Sequence, residues 1–181
     1  LATVVGRFEE IAFDTVTSFE GRVVKMIGDE VMYVTDDPSE AVRIGLALAD
    51  EYAADEALSD VRVGIACGPV LEREADIYGP VVNLASRVVH IAFPGSVVTT
   101  DEVRAAVGDD PRLTWKALKP RRIKDIGRVP LFAVRLADDA ARAGSRPDVR
   151  ERRTEAREAR LAALEEARAK GRELIRGGRE D

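Results

Sequence analysis

An α+β sandwich is the fold class this sequence predicts, on three observations. Two β-prone runs, Arg22–Ile27 and Val31–Thr35, are joined by Gly28-Asp29-Glu30, a tight hairpin connection. Segments with apolar residues at helical spacing are interspersed among further short β-prone runs. Hydrophobic residues make up 45% of the chain and charged residues 34%, which suits a globular protein with a helix-rich, solvated surface. A hairpin mixed with helices in this way predicts helices layered on one face of a sheet.

The elements follow in order. Val4, Phe8, Ile11 and Val16 recur at roughly helical spacing, so a helix is expected from residue 1 to about 19, ended near Gly21. After the hairpin, Pro38 opens a second helix whose apolar positions Val42, Leu46, Ala49 and Ala53 carry it to about Leu58. Val61–Cys67 alternates as a strand, and Gly68-Pro69 breaks it. Residues 71–78 read as an irregular polar loop. A third helix is expected from Pro80 to about Ala92, then the strand Ser96–Thr100 after Pro94-Gly95. Asp101 is positioned to cap a short helix through Val107. Leu113–Leu118, Arg122–Ile126 and Leu131–Leu136 are the remaining β-prone runs.

Composition changes near residue 138, which divides the chain into a domain over 1–137 and a tail over 138–181. The tail is dominated by Ala, Arg and Glu, with Leu161, Leu164, Leu174 and Ile175 as its main apolar anchors. Glu and Arg three or four apart support a solvated helix; a partner-docking or linker helix is the alternative reading. The chain opens inside a helix pattern without an initiator Met, and is read as a segment of a longer polypeptide.

A net charge of -5 argues against a broad nucleic-acid surface, but leaves room for a small anion held by a few local cations. The single Cys67 rules out an internal disulfide framework and a zinc site built on paired cysteines. The longest apolar runs fall well short of the roughly 20 residues that span a bilayer. No secretory signal pattern opens the chain, so the cytoplasm is the expected location.

Three segments carry chemistry: Val24-Lys25-Met26-Ile27-Gly28-Asp29-Glu30, then Asp76 through Arg87, then Arg122-Ile123-Lys124-Asp125-Ile126. Asp29, just past Gly28 at a hairpin tip, presents an unobstructed carboxylate, and Mg²⁺ favours one or two such donors completed by phosphate oxygens and water. Gly-Asp is also common in turns for purely conformational reasons. Lys25 precedes Asp29 by four residues on one strand, a place where a lysine usually snorkels to solvent. Asn83 and Arg87, at i and i+4, share one face of the third helix. Arg supplies a planar charged fork for phosphate, and Asn can orient a ribose oxygen. His90 continues that face but reads as a partly buried spacer, Cys67 as a buried strand residue, and Trp115 and Tyr78 as packing residues.

In order, content and separation these segments resemble the catalytic domain of class III adenylyl cyclases, of the nucleotidyl cyclase family, from residue 1 to about 136. The resemblance implies a ferredoxin-like βαββαβ sandwich with extra C-terminal strands, and a first strand that this chain lacks. It implies that Asp29 is one of two metal-binding aspartates, the other lying on that strand. Two Mg²⁺ or Mn²⁺ ions per site, with ATP as substrate and cyclic AMP and pyrophosphate as products, follow from it. Lys25 and Asp76 then read the adenine, beside Tyr78. A carboxylate accepts from the adenine amino group and a lysine donates to a ring nitrogen, whereas guanine inverts these preferences. Asn83 and Arg87 stabilise the transition state, and Lys124 neutralises the polyphosphate.

The resemblance further implies a homodimer with two interfacial sites, each taking its metals from one subunit and Lys25, Asp76, Asn83, Arg87 and Lys124 from the other. An upstream regulatory domain is compatible with it. Without the first strand, residues 1–181 alone are expected to be poorly stable and inactive. Three rivals stand beside this reading. One is a non-catalytic cyclase-homology domain that binds nucleotide or a partner. Another is a guanylyl cyclase, which typically carries Glu and Cys where Lys25 and Asp76 stand. The third is a diguanylate cyclase, whose pattern wants a second glycine and a Phe where Ile27 and Val31 stand.

Overall fold

The computed structural model describes residues 2–138; the predicted tail, from residue 139 onward, lies outside the described residues. Helix α1 (Ala2–Ser18) leads into the hairpin β1 (Arg22–Ile27) and β2 (Glu30–Val34), followed by α2 (Pro38–Ala54) and β3 (Arg62–Ile65). A second hairpin, β4 (Leu71–Arg73) and β5 (Asp76–Tyr78), precedes α3 (Pro80–Ile91), β6 (Ser96–Thr100) and α4 (Asp101–Val107). Strand β7 (Leu113–Ala117), the hairpin β8 (Arg121–Ile123) and β9 (Gly127–Val129), and β10 (Leu131–Leu136) complete it.

The main sheet has four strands in the order β3-β6-β10-β7, with β3 parallel to β6 and the other pairs antiparallel. Residues alternate across it. Val63, Ile65, Val97 and Val134 face Val42 and Ala49 of α2 and Val103 of α4. On the other face Val98 and Leu131 meet Val88 and Ala92 of α3, with Ile123 and Val129 of the β8–β9 hairpin. Helices therefore cover both faces, where the sequence predicted one. The cause lies in Gly64: a Cβ there would stand 2.4 Å from the Val89 nitrogen, so the missing side chain is what seats α3 against β3. A third apolar cluster joins Ile11 and Val16 of α1 to Ile44, Leu48 and Tyr52 of α2, and β1 and β2 lean on it through Val23 and Tyr33. The β1–β2 hairpin is not laddered to the main sheet, and among the described residues β2 and β3 each pair along a single edge.

Several boundaries differ from expectation. Helix α2 stops at Ala54, because the Asp55 carboxylate accepts from the Ala57 N–H at 2.9 Å and turns the chain. Residues 71–78 form a regular hairpin rather than a loop; its two-residue turn puts Glu74 and Ala75 at φ 55° and 63°. Such turns are ordinarily marked by Gly, Asn or Asp, and that mark is missing here. The run 122–126 is a hairpin arm and turn, with Asp125 at φ 66°. Asp101 is the first residue of α4 rather than its cap; Thr100 holds the cap position without a side-chain hydrogen bond.

The start of α2 shows the expected logic most directly. Asp37 accepts from the Ser39 N–H at 2.8 Å and Pro38 occupies the first turn, where its missing N–H costs nothing. Asp37→Ala should lower stability by about 1 kcal/mol, read as a shifted urea midpoint with an unchanged m-value.

Candidate active site

The site is built around one contact. The Lys25 Nζ donates to both carboxylate oxygens of Asp76, at 2.8 and 2.6 Å, joining the middle of β1 to the first residue of β5 across 51 positions of sequence. The Asp76 Oδ1 also accepts from the Ile77 N–H at 2.8 Å. The Lys25 ammonium, then this N–H, holds the Asp76 carboxyl below the usual carboxylate range. A depressed carboxyl stabilises the fold above the ordinary carboxylate pKa, near 3.9, and loses that contribution as pH falls through the folded value. Asp76→Asn should therefore flatten the acid limb of a stability–pH curve below about pH 4 and leave its neutral limb parallel to the wild type.

Asp29, Asn83, Arg87 and Lys124 stand apart from this pair, with no hydrogen bond or ion pair joining them to it among the described residues. Asp29 is exposed in the two-residue connection of the β1–β2 hairpin, after Gly28 at φ 64°. Asn83 and Arg87 are both exposed on α3, opposite the stripe that buries Val88 against the sheet. That helix starts two residues after Tyr78, so β5 leads the chain from Asp76 to the Asn83–Arg87 face.

Lys124 is exposed in the β8–β9 turn, and Arg122 and Arg128 stand directly opposite each other on the strands beside it. Like charges so placed repel, and a polyanion would relieve them. None of these three cations forms an ion pair among the described residues.

Several single-residue expectations change. Tyr78 is 52% exposed and is not a packing residue. His90 is exposed rather than partly buried, and its Nδ1 hydrogen-bonds the Ser86 carbonyl oxygen at 2.7 Å, within its own helix. Cys67 lies beyond the end of β3 and is only half-buried. Trp115 does pack, against the α2 side of the sheet and beneath the Arg104 guanidinium. Sequence reasoning missed an ion pair beside the central contact: Arg22 Nη2 lies 2.9 Å from Glu72 Oε1. Among the described residues no group of three His, Cys, Asp or Glu side chains is placed to hold a metal, so Asp29 offers a single carboxylate.

Solved nucleotidyl cyclase domains share this fold. The catalytic core of a rhodopsin-guanylyl cyclase with converted specificity, solved with ATPαS, superposes with a TM-score of 0.67 at 20% identity, covering 74% of this chain and 81% of that one. The adenylyl cyclase CyaB of P. aeruginosa gives 0.62 at 18% identity, covering 75% and 82%. The family model for the adenylate and guanylate cyclase catalytic domain matches residues 1–134, and the chain belongs to that family. An adenylate cyclase of Glutamicibacter nicotianae is 34% identical over 140 residues, 77% of this chain and 35% of its own length. A pH-sensitive adenylate cyclase of Mycobacterium tuberculosis is 38% identical over 149 residues, 80% and 37%. The chain thus spans about a third of the length of these relatives. Among the described residues no helix is long and apolar enough to cross a membrane.

Proposed function

We propose that this domain serves an adenylate cyclase, which closes ATP to 3′,5′-cyclic AMP and releases pyrophosphate. The observation that carries the reading is the bidentate contact of Lys25 with Asp76. It sets a cationic donor and an anionic acceptor side by side, half-exposed, next to the exposed Tyr78 ring. Adenine offers a ring nitrogen to the first and an amino group to the second; guanine reverses donor and acceptor at the corresponding two positions.

The remaining residues act by position and charge. Arg87 clamps the phosphate that accumulates charge at ring closure, Asn83 orients the ribose, and Lys124 with its neighbouring arginines takes the polyphosphate that departs. Asp29 is the residue that would hold a divalent cation. A single exposed carboxylate fits Mg²⁺ or Mn²⁺ as one donor among several, the rest coming from substrate oxygens, water and a further carboxylate. When bound, such ions polarise the α-phosphate and favour the 3′-alkoxide.

We place the active form as a homodimer. Large exposed apolar side chains, Ile27 on β1 and the cross-strand neighbours Leu71 and Tyr78, surround the Lys25–Asp76 pair and suit a buried interface. Among the described residues no ion pair joins Arg87 to Asp29, as expected if opposite subunits complete each site.

The test is the double substitution Lys25→Glu/Asp76→Cys in the full-length gene product. The ratio of kcat/KM for ATP over GTP should fall by roughly 10²-fold or more, as loss of two desolvated base-reading contacts demands. An unchanged ratio would remove the selector role.

A further inference from the structure

Residues three apart on a regular strand turn to opposite faces. Arg22 and Lys25 of β1 do not. Arg22 pairs with Val34 and Lys25 with Met32, and Val34 and Met32, two apart on β2, share a face. The register slips by one residue between Val23 and Lys25, which makes Val24 the extra residue of a β-bulge. Val23 pairs with Tyr33, and both pack on the α1–α2 cluster. In an unbulged strand one of the two cations would be turned toward that apolar cluster, and burying it there unpaired would be prohibitive. With the bulge both reach the β4–β5 hairpin: Arg22 Nη2 to Glu72 Oε1 at 2.9 Å, and Lys25 Nζ to Asp76 Oδ2 at 2.6 Å.

That hairpin needs the support. Its strands are three residues each, and of these residues Ile77 alone is buried. An isolated two-stranded hairpin is marginal at best in water, so its orientation rests on the Ile77 anchor and the two ion pairs. An exposed ion pair contributes little to global stability; it can still bias the orientation of a weakly anchored arm.

We propose that the Val24 bulge and the Arg22–Glu72 pair are positioning elements for nucleobase selection, holding the β4–β5 hairpin where Asp76 stands against Lys25. The inference rests on the reading of Lys25 and Asp76 as the purine selector. Arg22 and Glu72 touch no substrate in this account; they act through the hairpin.

The test compares Arg22→Glu, Glu72→Arg and the double swap in the full-length gene product, by two readouts. One is the ATP-to-GTP ratio of kcat/KM. The other is amide hydrogen exchange of residues 71–78, which is independent of catalysis. Each single variant should lower the ratio and speed hairpin exchange, both by about three- to fivefold, the upper end of the scale for an exposed ion pair. The double swap should restore both to within about twofold, as a regenerated pair requires. The singles change local charge in opposite senses, so a plain field effect on the nucleotide would move the ratio in opposite directions and overturn the proposal. Unchanged exchange would overturn the clamp while leaving the selector reading intact. Faster exchange with an unchanged ratio would overturn the positioning role. A wild-type enzyme without preference for ATP would overturn the selector reading and this inference with it.

Discussion

Asp29→Asn is expected to lower cyclic AMP formation by roughly 10²- to 10³-fold, the range seen when one preorganised electrostatic contact to a transition state is removed. The substitution isolates charge from shape. Asn is as acceptable as Asp in a tight turn, and Asp29 is exposed at the tip of the β1–β2 hairpin, where it supports no buried neighbour. Global stability should stay within about 0.5 kcal/mol of the wild type, the usual result for a surface change away from caps and cores. The expected loss should appear in kcat more than in KM, because the cation acts on charge that develops during ring closure. Activity retained within a few-fold would mean that Asp29 serves only its turn.

Gly64→Val is expected to be the most damaging single change to the fold. A Cβ at this position would lie 2.4 Å from the Val89 nitrogen, 2.8 Å from Val89 Cγ2 and 2.9 Å from the Ala85 carbonyl oxygen. Two of those atoms are backbone, so no side-chain rotation relieves the clash. Helix α3 has to lift, which opens the layer in which Val88 and Ala92 meet Val98 and Leu131. Overpacking of this kind costs typically 1–3 kcal/mol, and backbone atoms on the receiving side place this case at about 3 kcal/mol or more. Because α3 carries Asn83 and Arg87, activity should fall even at temperatures where the protein remains folded. Gly6→Ala in α1 is the control: nothing lies within 4 Å of a Cβ there, and helix propensity favours the change by up to about 1 kcal/mol. Thermal melts of the two variants should shift in opposite directions.

The elements that follow a clear period were legible in the sequence. The helices read from apolar spacing, α1 and α2, the Gly28-Asp29 turn and the Pro38 and Pro80 helix starts are all found where the sequence reading placed them. The failures have local causes. The β4–β5 hairpin turns on Glu74 and Ala75, residues that seldom take positive φ, so no turn signal announced it. The two-sided sheet depends on what Gly64 lacks, and an absent side chain has no hydrophobic period. The Arg22–Glu72 contact left a trace that went unread. In Arg22-Val23-Val24-Lys25 two apolar residues stand between two cations, which breaks strict alternation as a bulged strand does. The pairing of Lys25 with Asp76 was expected from family resemblance and not from pattern, since no local rule connects positions 51 residues apart.

The most direct test of the account is a cyclase assay on the purified full-length gene product, with ATP and GTP supplied separately and Mg²⁺ or Mn²⁺ present. The expected result is cyclic AMP from ATP, little cyclic GMP from GTP, and loss of product in Asp29→Asn. A folded dimer that forms neither cyclic nucleotide with either ion would contradict it.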